Sequence, residues 1–455
     1  VFTLTLCPHP RHPSRAPPSS HRVILSRPSH PRLQGFWDTR PRLDRHTSAR
    51  APTMSRPRDR AFVAFARACA RAFPDAARAS RASTAPFSQY RPYAASASAT
   101  PAPAPRAREL GAVYNDWTKT EVRELYARPL LELVHDAAKV HRMHHDPRQV
   151  QQCTLLSIKT GGCPETCNYC AQSSSWKGET KLKAEKLMGV EDVLEAAKRA
   201  KEAGSTRFCM GTAWRGPSQV GAGQFERVLE MTKEVRDMGM EVCATLGMLT
   251  PEQAVKLKDA GLTAYNHNLD TSPEYYDKVT SSRKYEDRLN TIAAVREAGI
   301  SVCCGGILGL GEEESDRASL MTVLATLPEH PESVPINALV PVEGTPFESM
   351  KPPSGLDMVR AIAVARILMP ATVVRLSAGR INMSPETQAL CFLAGANSVF
   401  TGDKLLTTPN NEKSEDSFLF EELGLEGRPA FVPYAAGAAS SDGSEWHNHQ
   451  KHAQH

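Results

Sequence analysis

Before Glu109 this 455-residue chain has no lysine and no glutamate, and only four aspartates, Asp38, Asp44, Asp59 and Asp75, against many arginines. The formal charge of +5 is therefore carried by an arginine-rich opening. The remainder is acidic overall, which argues against nucleic-acid binding through a basic surface. No apolar run is long enough to cross a bilayer, so a soluble chain with no membrane partner is expected. No secretory signal is evident, and a chain of this size needs no disulfide staples. The eleven cysteines, at 7, 69, 153, 163, 167, 170, 209, 243, 303, 304 and 391, therefore read as reduced thiols with metal or redox work.

The composition divides the chain. Residues 1–53 are rich in Pro, His and Arg without pattern and read as an upstream leader, with Met54 the expected true start. Residues 54–105 are Arg-rich, Ser-rich and acid-poor. There Phe62, Phe65, Ala66, Cys69 and Phe73 gather on one side of a helical wheel, as in an organelle transit peptide and its linker. Dense arginine favours the mitochondrial matrix over the plastid. Residues 106–150 read as a helical extension that covers one end of the fold, and 151–410 as the folded body. Residues 411–455 read as a C-terminal extension, largely a disordered tail, in which His447, His449, His452 and His455 sit on a solvated end.

Within 151–410, short apolar runs alternate with amphipathic stretches. Strands are expected at Leu155–Ile158, Arg207–Gly211, Glu241–Leu246, Ala264–Leu269, Val302–Leu308, Val334–Leu339, Val373–Ser377 and Ser398–Gly402. Helical patterns such as Glu191–Glu202, Phe225–Met238, Pro251–Asp259, Tyr285–Ala298 and Leu356–Leu368 lie between them. Several end at a glycine (Gly204, Gly239, Gly261, Gly299), the expected stop before a short turn into a strand. This rhythm predicts an α/β chain, a (β/α)8 barrel of the TIM type with a helical N-terminal extension and disordered termini. An open doubly wound sheet is the alternative, weakened because no Gly-rich dinucleotide fingerprint follows the first strand.

Directly after that first strand comes SIKTGGCPETCNYCAQSS, with Cys163, Cys167 and Cys170 spaced C-x3-C-x2-C and Tyr169 before the last. Three thiolates on one loop suit a [4Fe–4S] cube with one open iron; a structural zinc site completed by a distant His or Cys is the alternative. The loop leaves the C-terminal end of a barrel strand, where barrel active sites sit. It resembles the radical S-adenosylmethionine superfamily, whose loop reads C-x3-C-x-aromatic-C. The resemblance implies that the open iron binds the methionine moiety of S-adenosylmethionine and that Tyr169 lies beside the adenine. It also matches Gly305 and Ile307, in GGILGLGE, to a G-x-I-x-G motif at the nucleoside.

Cys209, Cys243 and Cys303 each lie in an expected strand, and Arg375 in another. A single buried cysteine is ordinarily apolar filler; three on different strands, with an arginine, could face one point inside a barrel. In YNHNLD, period-two alternation puts Asn266, Asn268 and Asp270 on one face, while His267 points away, and Asn337 stands in VPINALV. Buried amides need partners; they could satisfy one another or bind a ligand.

Strings such as STRFCMGTAWRGP, YNHNLDTSPEYY, ESVPINALVPVEGTP and VRLSAGR resemble the biotin synthase family from about Tyr114 to Pro409. That resemblance implies a [2Fe–2S] cluster held by Cys209, Cys243, Cys303 and Arg375, with Arg207 supporting it. It places Asn266 and Asn337 at dethiobiotin, Asn268 and Asp270 at the ribose, and Arg288 at the methionine carboxylate. Cys304 departs from the small residue expected there, although alternation aims it outward; Cys153 and Cys391 match no ligand position and read as packing residues.

The implied reaction cleaves S-adenosylmethionine to a 5′-deoxyadenosyl radical and inserts cluster sulfide between C6 and C9 of dethiobiotin. The implied partners are a reductase- or ferredoxin-type electron donor, the iron–sulfur assembly machinery and a second copy of the chain in a homodimer. A hydrogenase-maturation or methylornithine-synthase type of radical enzyme would share the triplet, but not the combined strand cysteines, Arg375 and YNHNLD. A non-catalytic iron–sulfur carrier would need neither the nucleoside motif nor the polar pocket.

Overall fold

The computed structural model describes residues 108–432. The expected leader, the transit segment and the histidine-bearing end lie outside the described residues, as do Cys7 and Cys69. Nine parallel strands form the barrel: β1 Gln149–Lys159, β2 Arg207–Thr212, β3 Glu241–Thr245, β4 Ala264–Asn266, β5 Ser301–Cys303, β6 Gly306–Leu308, β7 Ser333–Ala338, β8 Val373–Leu376 and β9 Ser398–Thr401. They pair in chain order, and β1 closes the ring against β9 through Gln151–Ser398 and Cys153–Phe400. Strands β5 and β6 are two halves of one stave, so the barrel has eight staves, each near an expected strand.

The stave containing β4 loses regular geometry after Asn266. Its ladder nonetheless continues, with His267 N–H donating to the Cys303 carbonyl at 2.9 Å and Leu269 N–H to that of Gly305 at 3.0 Å. Asp270, with φ of 67°, ends it.

Helices flank the strands and bury their apolar stripes in one large core outside the barrel wall. Local chemistry starts them: Thr250 caps Pro251–Asp259 in a reciprocal box with Gln253, and Ser354 does the same for Gly355–Leu368 with Asp357. Gly204, Gly239, Gly261 and Gly299 follow their helix ends in left-handed backbone.

One expectation needs correction, and it concerns the C-terminal extension. The N-terminal extension forms helices Lys119–Tyr126 and Leu130–His144, which lie along the outer helices Glu314–Ala325 and Gly355–Leu368, while Asn115 and His145 on either side of them bond the Leu327 and Pro370 carbonyls in the loops that enter β7 and β8. Arg360 fixes this contact by donating to the carbonyls of Tyr126 and Arg128 at 2.6 and 2.7 Å. At the other terminus, where no pattern is visible in the sequence, residues 413–427 are regular. Helix Lys413–Leu423 precedes strand β12, Glu426–Gly427, which pairs with Gln149–Val150 of β1. Asp416 on that helix forms an ion pair with the fully buried Arg380. Between β9 and this helix, β10 (Lys404–Leu405) and β11 (Thr408–Pro409) form a small hairpin. Among the described residues no helix is long and apolar enough to cross a membrane.

Candidate active site

The loop after β1 is shaped by its own backbone. Cys163 N–H donates to the Gln172 carbonyl at 2.9 Å, Ser174 N–H to that of Cys163 at 2.7 Å, and Cys170 N–H to that of Cys167 at 3.0 Å. Asn168 moors it to a neighbouring loop, its N–H donating to the Val279 carbonyl and its side-chain amide to that of Lys278, both at 2.9 Å. Cys163, Cys167 and Cys170 line a cavity of about 330 Å³ in the barrel. Burial pushes all three thiols up, Cys170 to about 12, so iron must displace protons to bind them. Among the described residues no three ligating side chains close to the spacing of a single bound ion. Three thiols on one loop, all lining the cavity, are a donor set that an iron–sulfur cluster with one open iron would take.

Arg283 went unnoticed in the sequence. Its Nη2 donates to the Cys167 sulfur at 3.3 Å, and its Nε to the Tyr276 hydroxyl at 3.2 Å. The buried Glu165 accepts from Ser282 and pairs with Arg215 at 3.2 Å. No local motif marks Arg283, because it meets the cysteine loop across 116 positions.

Tyr169 and Ile307 pack against one apolar patch made by Val279, Leu310, Leu339 and Phe347, so the two nucleoside candidates meet. Gly305 sits at the break between β5 and β6, where any Cβ would run into the Pro335 carbonyl; only glycine lets the staves approach so closely.

The amides and the carboxylate of YNHNLD line the same cavity. Asn266 donates to Asn268 Oδ1 at 3.1 Å and to the Cys303 sulfur at 3.3 Å, and accepts from Thr245 Oγ1 at 3.3 Å. Asn268 Oδ1 also accepts from Gly305 N–H at 3.1 Å. Asp270 is ion-paired with the buried Arg288, which also donates to the Asn268 carbonyl and, at 2.7 Å, to the Tyr276 hydroxyl. Arg288 therefore holds the shape of this wall as well as facing the cavity. Asn337 donates to the Gly306 carbonyl at 2.9 Å and accepts from Ala378 N–H at 3.3 Å. His267, beside Tyr265, is driven toward its neutral form by burial.

Deeper in the barrel, Cys209, Cys243 and Cys303 form a second apolar cluster with Ala264, Phe400, Leu405 and Cys153. Cys243 lies opposite Cys209 in register, and Cys303 opposite Asn266. The neighbouring thiols of Cys209 and Cys303 drive the Cys243 thiol well below its ordinary range, while Cys209, chiefly through Cys153 and then Cys243, and Cys303, chiefly through Cys243, are pushed up. Arg375 spans the group: Nη1 is 3.7 Å from the Cys303 sulfur, Nη2 is 3.3 Å from that of Cys153, and Nε donates to Ser398 Oγ at 2.9 Å. Burial works against its charge, while the surrounding sulfurs favour the charged form and shift the guanidinium upward. Arg207 pairs with Glu241 at 2.6 Å, and Gln151 donates to the same carboxylate at 3.0 Å while accepting from Arg375 at 3.4 Å.

Cys304 and Cys391 belong to the outer core, where burial pushes each thiol up to about 12. Cys153 does not join them. It faces the interior thiols.

Comparisons with known proteins agree with this geometry. The model of the Radical SAM superfamily matches residues 157–324, and that of the Biotin and Thiamin Synthesis associated domain matches 335–426. A biotin synthase from Cytophaga hutchinsonii is 60% identical over 70% of this chain and 94% of its own length. The mitochondrial biotin synthase of Arabidopsis thaliana is 57% identical over 74% and 86%, and the Schizosaccharomyces pombe biotin synthase 55% over 74% and 93%. Among solved structures, methylornithine synthase aligns with a TM-score of 0.58 at 20% identity, covering 68% of this chain and 94% of that one. The FeFe-hydrogenase maturase of Carboxydothermus hydrogenoformans aligns with a TM-score of 0.61 at 17% identity, covering 71% and 78%. These two show the shared barrel alone. With both family models matching and relatives above half identity over nearly their whole length, the chain belongs to the biotin synthase family of radical S-adenosylmethionine enzymes.

Proposed function

We propose that this chain converts dethiobiotin to biotin, and that a single cavity carries both halves of the chemistry. The observation behind this reading is that Cys163, Cys167 and Cys170 line the same space as Cys209, Cys243 and Arg375, together with Asn266, Asn268 and Asn337. Cys163, Cys167 and Cys170 would hold a [4Fe–4S] cluster, and Cys209, Cys243 and Cys303 a [2Fe–2S] cluster with Arg375 at its fourth corner. When bound, the first supplies the electron that cleaves S-adenosylmethionine to methionine and a 5′-deoxyadenosyl radical, and the second supplies the sulfur.

The side chains position and shield. Tyr169, Gly305 and Ile307 would take the nucleoside on the apolar patch, and Asn268 and Asp270 the ribose hydroxyls. Arg288 holds Asp270 in place and would face the methionine carboxylate. Asn266, bonded to Cys303, and Asn337, across the cavity wall, would orient dethiobiotin with its methyl group toward the radical. Arg207, neutralised by Glu241, supports the deeper thiols from below. The reaction would take place at an unactivated C–H bond, where an acid–base pair would have no work.

The test is anaerobic reconstitution with iron and sulfide, followed by dithionite, S-adenosylmethionine and dethiobiotin, reading 5′-deoxyadenosine and biotin by mass spectrometry. Both products are expected. Deoxyadenosine without biotin, despite a spectroscopically confirmed smaller cluster, would keep the radical chemistry and overturn the substrate.

The mitochondrial relative and the arginine-rich 54–105 segment support delivery to the mitochondrial matrix. A reporter fused behind that segment is expected in mitochondria, and a cytosolic or plastid signal would overturn this. An electron donor of the reductase or ferredoxin type, the iron–sulfur assembly machinery and a second copy of the chain complete the proposed partners.

A further inference from the structure

We propose that Arg283 is a positioning residue for the [4Fe–4S] cluster, and that the positive charge it holds against the Cys167 sulfur makes the bound cluster easier to reduce. The inference rests on the reading that Cys163, Cys167 and Cys170 hold that cluster, and gives a role to a side chain which that reading leaves out.

Arg283 stands in loop 280–284, between helices Tyr276–Val279 and Tyr285–Glu297. Its Nη2 donates to the Cys167 sulfur at 3.3 Å, while its Nε donates to the Tyr276 hydroxyl at 3.2 Å and so fixes the plane of the fork. Cys167 is the buried member of the loop triplet, and among the described residues it is the one to which a guanidinium donates. The two loops are stitched together around this contact. Thr166 N–H donates to Ser282 Oγ at 3.0 Å, Ser281 N–H to Thr166 Oγ1 at 3.2 Å, and Asn168 N–H to the Val279 carbonyl at 2.9 Å. The guanidinium is therefore held in place from both loops, with its side chain only 8% exposed.

The charges around it do not cancel. Glu165 is shared: Arg215 pairs with its Oε1 at 3.2 Å, while Arg283 Nε stands 4.0 Å from its Oε2. Asp270 is taken by Arg288, which donates to the same Tyr276 hydroxyl as Arg283. Three guanidiniums thus meet two carboxylates, and the least compensated of the three is the one that touches Cys167. An enclosed cation is stabilised by an enclosed anion. A cluster ligated through that sulfur supplies one.

Reduction by one electron adds negative charge to the cluster and its thiolates. A fixed positive charge and an N–H donor at a ligand sulfur favour the reduced form, most strongly where side chains exclude water. Arginine keeps its proton, so the bias is permanent. The electron comes from the external donor, and no bond to Arg283 forms or breaks.

The test uses the full chain, reconstituted anaerobically with iron and sulfide and titrated against applied potential without S-adenosylmethionine. Electron paramagnetic resonance counts the reduced [4Fe–4S] cluster. In Arg283→Met the ratio of reduced to oxidised cluster at a fixed potential is expected to fall about tenfold, a downward shift of about 59 mV for one electron. The sign separates the two roles this side chain could have. A merely structural loss would loosen the loop and admit water, which favours the more charged form and moves the potential up. An unchanged or raised potential in a variant with full iron content overturns the proposal. Where Arg283→Met does not retain the cluster, Arg283→Gln, which keeps an N–H donor and drops the charge, is titrated in its place with the same outcomes. Should neither variant load, the unmutated chain decides, grown on nitrogen-15-labelled arginine and examined with the smaller cluster oxidised and silent. Weak hyperfine coupling of an arginine nitrogen to the reduced [4Fe–4S] cluster is expected, and its absence overturns the proposal. Cys167→Ala separates the two layers of argument. If it leaves the larger cluster intact, or if the unmutated chain forms none, the underlying reading falls and takes this proposal with it.

Discussion

Cys163, Cys167 and Cys170 share one loop, and hydrogen bonds among the loop's own backbone groups set their positions. Cys209, Cys243 and Cys303 come from three staves, with Cys153 and Arg375 from two more, and owe their nearness to the register of the barrel. The first group carries its geometry locally. The second has no local geometry and exists only when the ring is closed. The contrast extends to electrostatics. Burial pushes every loop thiol up, whereas neighbouring thiols split the inner set, driving Cys243 down and its two neighbours up. A walled set is suited to holding a cluster that must be kept from water.

The sharpest way to test that independence is to remove one thiol from each group. Cys167→Ala is expected to abolish both deoxyadenosine and biotin while leaving the absorbance of the smaller cluster in place. Cys209→Ser is expected to abolish biotin while S-adenosylmethionine cleavage persists. Mass spectrometry with visible spectroscopy checks both, and loss of both clusters in either variant would break the comparison.

Asp270→Asn probes the wall between the groups. It strands the buried Arg288 without its carboxylate, and a loss of about 3–5 kcal/mol in urea unfolding is expected. Gly305→Ala forces a Cβ against the Pro335 carbonyl and is expected to cost about 1–3 kcal/mol, with the spectrum of the inner site disturbed more than that of the loop. Thr118→Ala, far from both groups, removes the cap of helix Lys119–Tyr126 and should lower stability by about 1 kcal/mol, read as a small drop in Tm with unchanged product ratio.

The same contrast explains what the sequence discloses. Staves and helices show their period locally, so all eight staves lie near their expected positions, and the loop triplet is legible because its spacing is contiguous. Arg283 beside Cys167, and Cys153 beside Arg375, meet across 116 and 222 positions, and only the closed ring brings them together. Cys153 reads as filler for the same reason that any lone buried thiol does. Helix Lys413–Leu423 escapes notice because its buried stripe is narrow, Asp416, Leu419 and Phe420, and one of these is a charge answered by Arg380. In YNHNLD, Asn266, Asn268 and Asp270 line the cavity as alternation expects, but His267, expected to point away, lines it too, because the regular strand stops at Asn266.

The closure of β1 against β9, with β12 added at its start, also sets a timetable for synthesis. Gln151 cannot meet Ser398 until nearly the whole barrel has left the ribosome, and such distant pairings form slowly. The cysteine loop is complete early in translation and could meet iron on a nascent chain. The inner chamber comes into being only after the last stave docks, so any metal held there would have to be delivered to a finished or reopened barrel.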